Sequence, residues 1–470
     1  MHVVTTRRQH GAKVYETHLL RRSYREDGRV KNQTLANLSH LPPTALSALK
    51  RSLRGEQLVS AAAAVEVVRS VPHGHVAAVF GQARALGLPA LLGPAGRQRD
   101  LVLALLVARV CRPASKLATT RWWTDTTLAA DFDLGEVGTD EVYAAMDWLA
   151  GRQEGIEATL AARHLTGEAN PDRLALFDLS SSWMTGSHCP LAARGYSRDG
   201  KKGLPRIEYG LLTDRHGRPV AVKVFAGNTA DPTAFSTLVT DLRGRFQLDE
   251  IVMVGDRAMI TGARISQLRE LGGFGWVTAL RGPAIAALAA DQGPPRLSLF
   301  DQTNLAEISH PDFPGERLIA CRNPALAAER ARKRLALLAA TDLDLTTISN
   351  VVSAGRLTGA GKIGIRVGKV VGRYKMEKHY TLTITDTSFT FSRNHAAINL
   401  EAALDGIYVI RTSVPAGQLN ADKVVTTYKS LSRVERDFRS LKTIDLDLRP
   451  IRHYTDTRVR AHVFLCMLAA

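Results

Sequence analysis

The chain has 470 residues, 45% hydrophobic and 23% charged, which is enough for about three globular domains with sizeable cores. Its net charge of +17 and pI near 10.0 favour a polyanionic partner, nucleic acid first. With no run of about eighteen apolar residues, no signal-peptide core in MHVVTTRRQHGAKV and no Cys-x-x-Cys pair among the four cysteines, the expectation is a reduced, cytoplasmic protein without membrane insertion, secretion or a zinc site.

Residues 1–43 alternate in strand fashion. Tyr15, Thr17 and Leu19 lead to a turn at Asp27-Gly28, and a second strand runs from Val30 to Leu35. Arg7, Arg8, Lys13, Arg21, Arg22, Arg25, Arg29 and Lys31 make this small sheet strongly basic, a face suited to DNA or simply to solvent. From 44 to 166 the period becomes helical, giving a helical domain with a candidate role in DNA binding. RDLVLALLVARVCRP reads as an apolar helix stopped by Pro113, and DEVYAAMDWLAGRQEGIEATLAARHL as an amphipathic one opened at Thr139-Asp140. Trp122 and Trp123, between them, read as core rather than as base-stacking platforms.

The polar stretch from Gly167 to Asp172 reads as a linker, and after it the periodicity changes again. RLALFDLSSSW is a strand buried on both faces whose end carries Asp178. KKGLPRIEYGLLTDRHGRPVAVKVF gives two antiparallel strands around a turn at Asp214 to Arg218, and a helix follows Asp231-Pro232. EIVMVGDRAMI is a second buried strand with Asp256 just past its end; a helix (GARISQLRELG) and a further strand (GFGWVTAL) come next. The order predicts a mixed α/β sheet flanked by helices over 172–280.

Between 281 and 405 that pattern lapses into an inserted α+β subdomain. PALAAERARKRLALLAA is a long amphipathic helix, and YTLTITDTSFTF alternates as an exposed-edge strand does. Lys362, Arg366, Lys369, Arg373, Lys375 and Lys378 form a basic run with glycines, suited to touching DNA. GIYVIRTS returns the chain to the core, which 406–470 completes.

Asn420 to Lys442 reads as one helix, with apolar residues at Val424, Val425, Leu431, Val434, Phe438 and Leu441 and a cap at Asn420 or Asp422. Tyr428, Glu435 and Lys442 are spaced seven apart, so they fall on one line at roughly 10 Å intervals. A carboxylate there can hold a metal ion, while the phenol and the ammonium can hold phosphate oxygens. The ordinary alternative is a solvated Glu–Lys face. Asp178, Asp256 and Glu435 can converge on one point, and three carboxylates repel unless cations neutralise them. Hard oxygen ligands select Mg²⁺ or Mn²⁺, and two such ions about 4 Å apart suit in-line phosphoryl displacement.

These motifs together resemble the DDE transposases of bacterial insertion sequences, in the branch bearing a Tyr-Arg-Glu-Lys signature. The resemblance is carried by LFDLSSSW with Asp178, GYSRDGKK, YGLLTDRHGRPV, FAGNTADPTAF, VMVGDRAMI with Asp256, YKSLSRVERDFRSLK with Glu435 and LRPIRHYTDTRVRAHVFLCMLA. It implies a ribonuclease H-like core with an insertion before the glutamate helix, Mg²⁺-dependent cleavage at transposon ends and 3′-hydroxyl strand transfer into target DNA. It also implies double-stranded DNA partners, namely terminal inverted repeats and target, and a homodimer holding two ends, nucleoid-associated when bound.

Tyr428, Glu435 and Lys442 fill their signature places, but the arginine position is Leu431. Helix geometry points to a substitute. Arg433 lies about 200° from position 431, whereas Arg439 shares the face of Glu435 and Lys442. Arg439 is therefore the expected phosphate ligand, against the alternative of a surface Arg439–Glu435 pair. A haloacid-dehalogenase phosphatase is disfavoured because Ser180 stands where that chemistry wants a second Asp. The remaining alternative is an inactive or truncated remnant that only binds DNA. TRVRAHVFLCMLAA ends without a helix stop signal, so a C-terminal truncation that leaves an apolar face uncovered is expected.

Overall fold

The computed structural model describes residues 1–59, 67–165, 174–186, 188–195, 200–201, 203–248, 250–290 and 304–470. The expected linker from Gly167 to Asp172 and most of GYSRDGKK lie outside them. The chain forms two compact units, residues 1–71 and 72–470.

In the first unit β1 (His2–His10), β2 (Lys13–Glu26) and β3 (Arg29–Asn37) form an antiparallel meander. Asp27 and Gly28 make the second turn with φ of 50° and 77°, the left-handed pair that matches the twist of a two-residue hairpin. The basic side chains are largely exposed; Arg7 pairs with Glu16 and Lys31 with Glu26. A helix, Pro43–Leu53, closes the sheet's sequence.

The second unit is built on an eight-stranded sheet. Its strands are β4 (Leu174–Trp183), β5 (Arg206–Asp214), β6 (Pro219–Ala226), β7 (Ile251–Val254), β8 (Phe274–Ala279), β9 (Leu305–Ile308), β10 (Arg317–Arg322) and, after the inserted hairpin β11 (Tyr380–Ile384) and β12 (Phe389–Arg393), β13 (Ile407–Thr412). The spatial order is β6-β5-β4-β7-β8-β13-β10-β9. β4, β5 and β6 are an antiparallel meander, and β7 and β8 join β4 in parallel through the crossover helices Asp231–Gly244 and Gly262–Leu271. A meander whose first strand takes two parallel strands on its other side is the ribonuclease H-like core. The strand and helix order expected from the sequence is the observed one.

β10 and β13 pair antiparallel, Arg322 facing Ile407, so everything between them hangs from one hairpin. That insertion has its own core of Leu338, Leu345, Ile363, Val367 and Phe389. YTLTITDTSFTF is not one edge strand but β11 and β12, folded back at a turn closed by Thr385 and Ser388. The first insertion helix, Pro324–Ser353, is long and apolar enough to cross a membrane by composition alone. Its Asp342 and Asp344 are nevertheless tied to Arg393, Tyr380 and Arg373 within the subdomain.

The helices before the sheet share its hydrophobic core, and both Trp122 and Trp123 are buried. The predicted amphipathic helix after Thr139 is two, Thr139–Ala150 and Gln153–His164, because Gly151 and Arg152 interrupt it. The last helix, Asp456–Ala469, corrects the expectation of an uncovered apolar face. Val459 to Met467 are buried where it packs on the helices Arg97–Cys111 and Thr139–Ala150 and on β6.

Candidate active site

Asp178 is not at a strand end, as expected, but in the middle of β4. The reason is that β4 pairs with β5 along its whole length, out to Trp183 facing Arg206, whereas β7 covers only Leu174 to Leu176. Leu176 faces Val254 in that parallel register. Two residues further on, Asp178 continues β4 with its side chain back on the face of Leu176, while Asp256 lies two residues past the end of β7. The site therefore opens where β7 stops.

Asp256 is held by the chain that follows it. Its Oδ1 accepts the amides of Ala258 at 2.9 Å and Met259 at 2.7 Å, which fixes the carboxylate's rotamer. Thr278 Oγ1 donates to its carbonyl at 3.2 Å. Asp178 is half-buried, and its Oδ1 accepts the amide of Leu179 at 2.8 Å.

The helical stretch across the sheet departs from the single straight helix expected. It is a helix Ala421–Lys429 capped by the Asn420 side chain, a second helix Leu431–Arg439 after Ser430, and a wide π turn at Ser440–Ile444. Val434 and Phe438 press the second helix onto β4 and β5, with Phe438 edge-on to Tyr209 at 5.7 Å. Glu435 is on the exposed side and makes no hydrogen bond or ion pair among the described residues. Tyr428 is half-buried and precedes the break, while Lys442 sits in the π turn, so a strict seven-residue line through both no longer holds.

Electrostatics nonetheless tie part of this set together. Burial raises the Tyr428 phenol, the carboxylate of Asp256 raises it further, and that of Glu435 adds to both, with Arg257 opposing. Tyr428 thus senses two of the three acids. Leu431 turns inward to the core rather than toward the site. Arg433 donates to the carbonyl of Arg215 at 2.7 Å and lies over Gly217, on the β5–β6 turn. Arg439 is exposed and, among the described residues, forms no ion pair with Glu435.

Two neighbours went unread in the sequence. Arg257 and Tyr428 line a cleft of about 880 Å³ running toward Arg330, Lys333 and Lys378 of the insertion. Asp437 is pushed up to about 6 by burial, with Asp214 adding to the shift, and its Oδ2 lacks a partner. The Gly-Asp-Arg of β7's exit was the available signal for the first; nothing local marks the second.

Among the described residues, no three His, Cys, Asp or Glu side chains are gathered closely enough to hold a metal ion. The donor chemistry still fits a divalent cation. Asp178 and Asp256 each have one oxygen turned to backbone amides, and Glu435 is exposed on the helix that packs on β4.

The family model described as transposase DDE domain matches residues 180–470, and the one described as IS1634 family transposase, N-terminal domain, matches residues 2–65. The chain belongs to the DDE transposases of insertion sequences. This transposase is similar among solved structures to the piggyBac transposase in a synaptic complex with hairpin DNA. That match has 7% identity and a TM-score of 0.38, over 80% of this chain and 65% of that one. The Mos1 transposase in a paired-end complex with the left transposon end matches at 12% identity and a TM-score of 0.17, over 53% of this chain and 70% of that one. The chain thus spans less than two thirds of the piggyBac chain. No curated protein matches it.

Proposed function

We propose that the chain cleaves DNA at the ends of its own insertion sequence and joins the freed 3′-hydroxyl to target DNA, acting as a homodimer that holds two ends. The observation that supports this is the β4–β7 register, in which Leu176 faces Val254 two residues before Asp178 and Asp256, with the helix bearing Glu435 packed on β4. These three carboxylates would hold Mg²⁺ or Mn²⁺, which when bound activates the attacking hydroxyl and stabilises the leaving oxygen. The chain's own part is to keep Asp256 in one rotamer through two amides and to keep the Tyr428 phenol protonated, hence a donor to a phosphate oxygen. Lys442 and Arg439 add cationic phosphate ligands beyond Glu435, Arg439 replacing the signature arginine that Leu431 cannot supply.

The DNA track is supported by the insertion. Lys362, Arg366, Lys369 and Arg373 recur every three or four residues along the exposed side of the helix Ala360–Tyr374, flanking the buried stripe of Ile363, Val367 and Val370. Gly361, Gly364, Gly368 and Gly372 run alongside with open space where a Cβ would stand, so a phosphate backbone can approach closely. The test is cleavage of a DNA fragment carrying the element's terminal repeat. Asp178→Asn, Asp256→Asn and Glu435→Gln should each abolish Mg²⁺-dependent cutting while retaining binding. Wild-type protein that binds the repeat but never cuts it would establish the DNA-binding remnant instead.

A further inference from the structure

The second unit holds a further cavity of about 310 Å³, none of whose lining residues is one of the three carboxylates; among them are Arg109, Ser115, Lys116, Tyr143, His453 and His462. Its floor is unusually cationic. Lys116 is 4% exposed, and among the described residues its ammonium makes no hydrogen bond and no ion pair. Arg109, 6% exposed, is aimed by two carbonyls, Nη2 donating to Ala114 at 3.1 Å and Nη1 to Leu446 at 3.4 Å. Lys116 also opens a nine-residue helix capped by the Ser115 hydroxyl, so the partial positive charge of that N-terminus faces the same space. The His462 Nε2 meets the carbonyl of Leu448 at 3.3 Å, and its buried Nδ1 has no partner.

A buried ammonium with no partner among the described residues leaves a charge uncompensated, unless something supplies the missing one. Asp447 is the single acid at the rim, and it is exposed. Burial, with the Arg109 guanidinium adding, brings Lys116 down to about 7, and burial lowers the His453 ring to about 3. The cavity is thus short of negative charge and has donors from four separate chain segments pointed at it.

We infer that this cavity binds a tetrahedral oxyanion of the phosphate class, gripped by Lys116 and Arg109 at the N-terminus of the Lys116–Thr124 helix. Two sources share that chemistry, free inorganic phosphate and the terminal phosphate of a DNA end. The inference does not depend on the cleavage reaction, since binding is read directly.

Calorimetry of the full chain with inorganic phosphate should show one saturable site per chain. Lys116→Met, which keeps the bulk and removes the charge, should weaken it at least tenfold, whereas Arg356→Ala on the exposed surface of the insertion should leave it unchanged. A short oligonucleotide bearing a 5′-phosphate that competes for the site, when its 5′-hydroxyl twin does not, assigns the site to DNA ends. Failure of both to compete assigns it to the free ion. Sulfate, which does not titrate in this range, provides a wild-type test should Lys116→Met not fold. The groups facing the site are Arg109, Lys116, Tyr143, Asp447, Arg452, His453, Arg458, His462 and Cys466, and Lys116 is the one whose charge changes near neutrality. Sulfate affinity should therefore fall about tenfold per pH unit above about 7. No saturable phosphate binding, binding unchanged in Lys116→Met, or sulfate affinity flat across that range would each overturn the inference.

Discussion

The carboxylates at the end of β7 and the cations around Lys116 are both groups of like charge. The protein handles them in opposite ways. Asp178 and Asp256 are half-buried and Glu435 is exposed, so water screens them and a counter-ion can come and go. Lys116 and Arg109 are enclosed, and the fold itself bears the desolvation. Glu157 shows what a resolved buried charge looks like here. At 1% exposure it accepts from Gln153 at 2.7 Å, from the Val222 amide at 3.1 Å and from Arg245 at 2.9 Å. An enclosed charge with a full set of partners is structure; one without them is a site in waiting.

Changes at the open cluster should cost activity and not stability. Asp178→Asn, Asp256→Asn or Glu435→Gln should lower the cleavage rate by about 10³-fold or more, roughly 4 kcal/mol of barrier. The melting temperature should hold or rise as repulsion is relieved. A clear fall in melting temperature would erase the contrast with Lys116.

The resolved charge should show the reverse. Glu157→Leu strands the Val222 amide and part of Arg245, and should destabilise the fold by about 2–3 kcal/mol in denaturant titration with cleavage per folded molecule unchanged. Next in size is the solvated row on the insertion. The triple variant Lys362→Ala, Arg366→Ala, Lys369→Ala should bind DNA about 10–100-fold more weakly at moderate salt, and the slope of log affinity against log salt should shrink by about 2.7.

At Lys116 the linkage has a definite sign. A lysine whose folded value is lowered to about 7 binds fewer protons folded than unfolded between there and about 10.4, so stability rises with pH across that window. Lys116→Met should remove that rise. The smallest effect expected is at the glutamate helix. Arg439→Ala should slow cleavage about tenfold in a pre-formed end complex, as loss of one charge-assisted phosphate contact does. Arg433→Ala, which loses only its bond to the Arg215 carbonyl, should stay within about twofold. The reverse ranking would misplace the phosphate.

The sheet was legible because β4 to β8 carry buried apolar runs separated by turn residues and helical repeats, and each signal is local. Asp178's place was misjudged because the end of a strand depends on its partner: β4 outlasts β7, and no residue of β4 says so. The interruption at Ser430 has the same character, since serine is an ordinary helix residue and the two helices on either side pack on different strands, β8 and β13 for the first and β4 for the second. The final helix looked uncovered because its partners, around Leu105 and Met146, are more than three hundred residues away in sequence. The cationic cavity was invisible for that reason too. Arg109 and Lys116 read as the polar ends of two helices until His453 and His462 close over them.

The β10–β13 hairpin has an evolutionary consequence. The amide of Asn323 donates to the carbonyl of Gly406 at 2.9 Å, so the chain departs and rejoins the sheet through neighbouring residues. Gly406, with φ of 75°, brings its backbone so close to Asn323 that a Cβ would lie 2.4 Å from the Asn323 carbonyl oxygen. All of the insertion's length is thereby confined to one loop, clasped at its neck and cored on its own. Lineages can lengthen, shorten or exchange this cassette without shifting β4 against β7 by a single residue. On the proposed function the cassette carries the DNA track and the sheet carries the carboxylates, so a change of length in the first leaves the second in place.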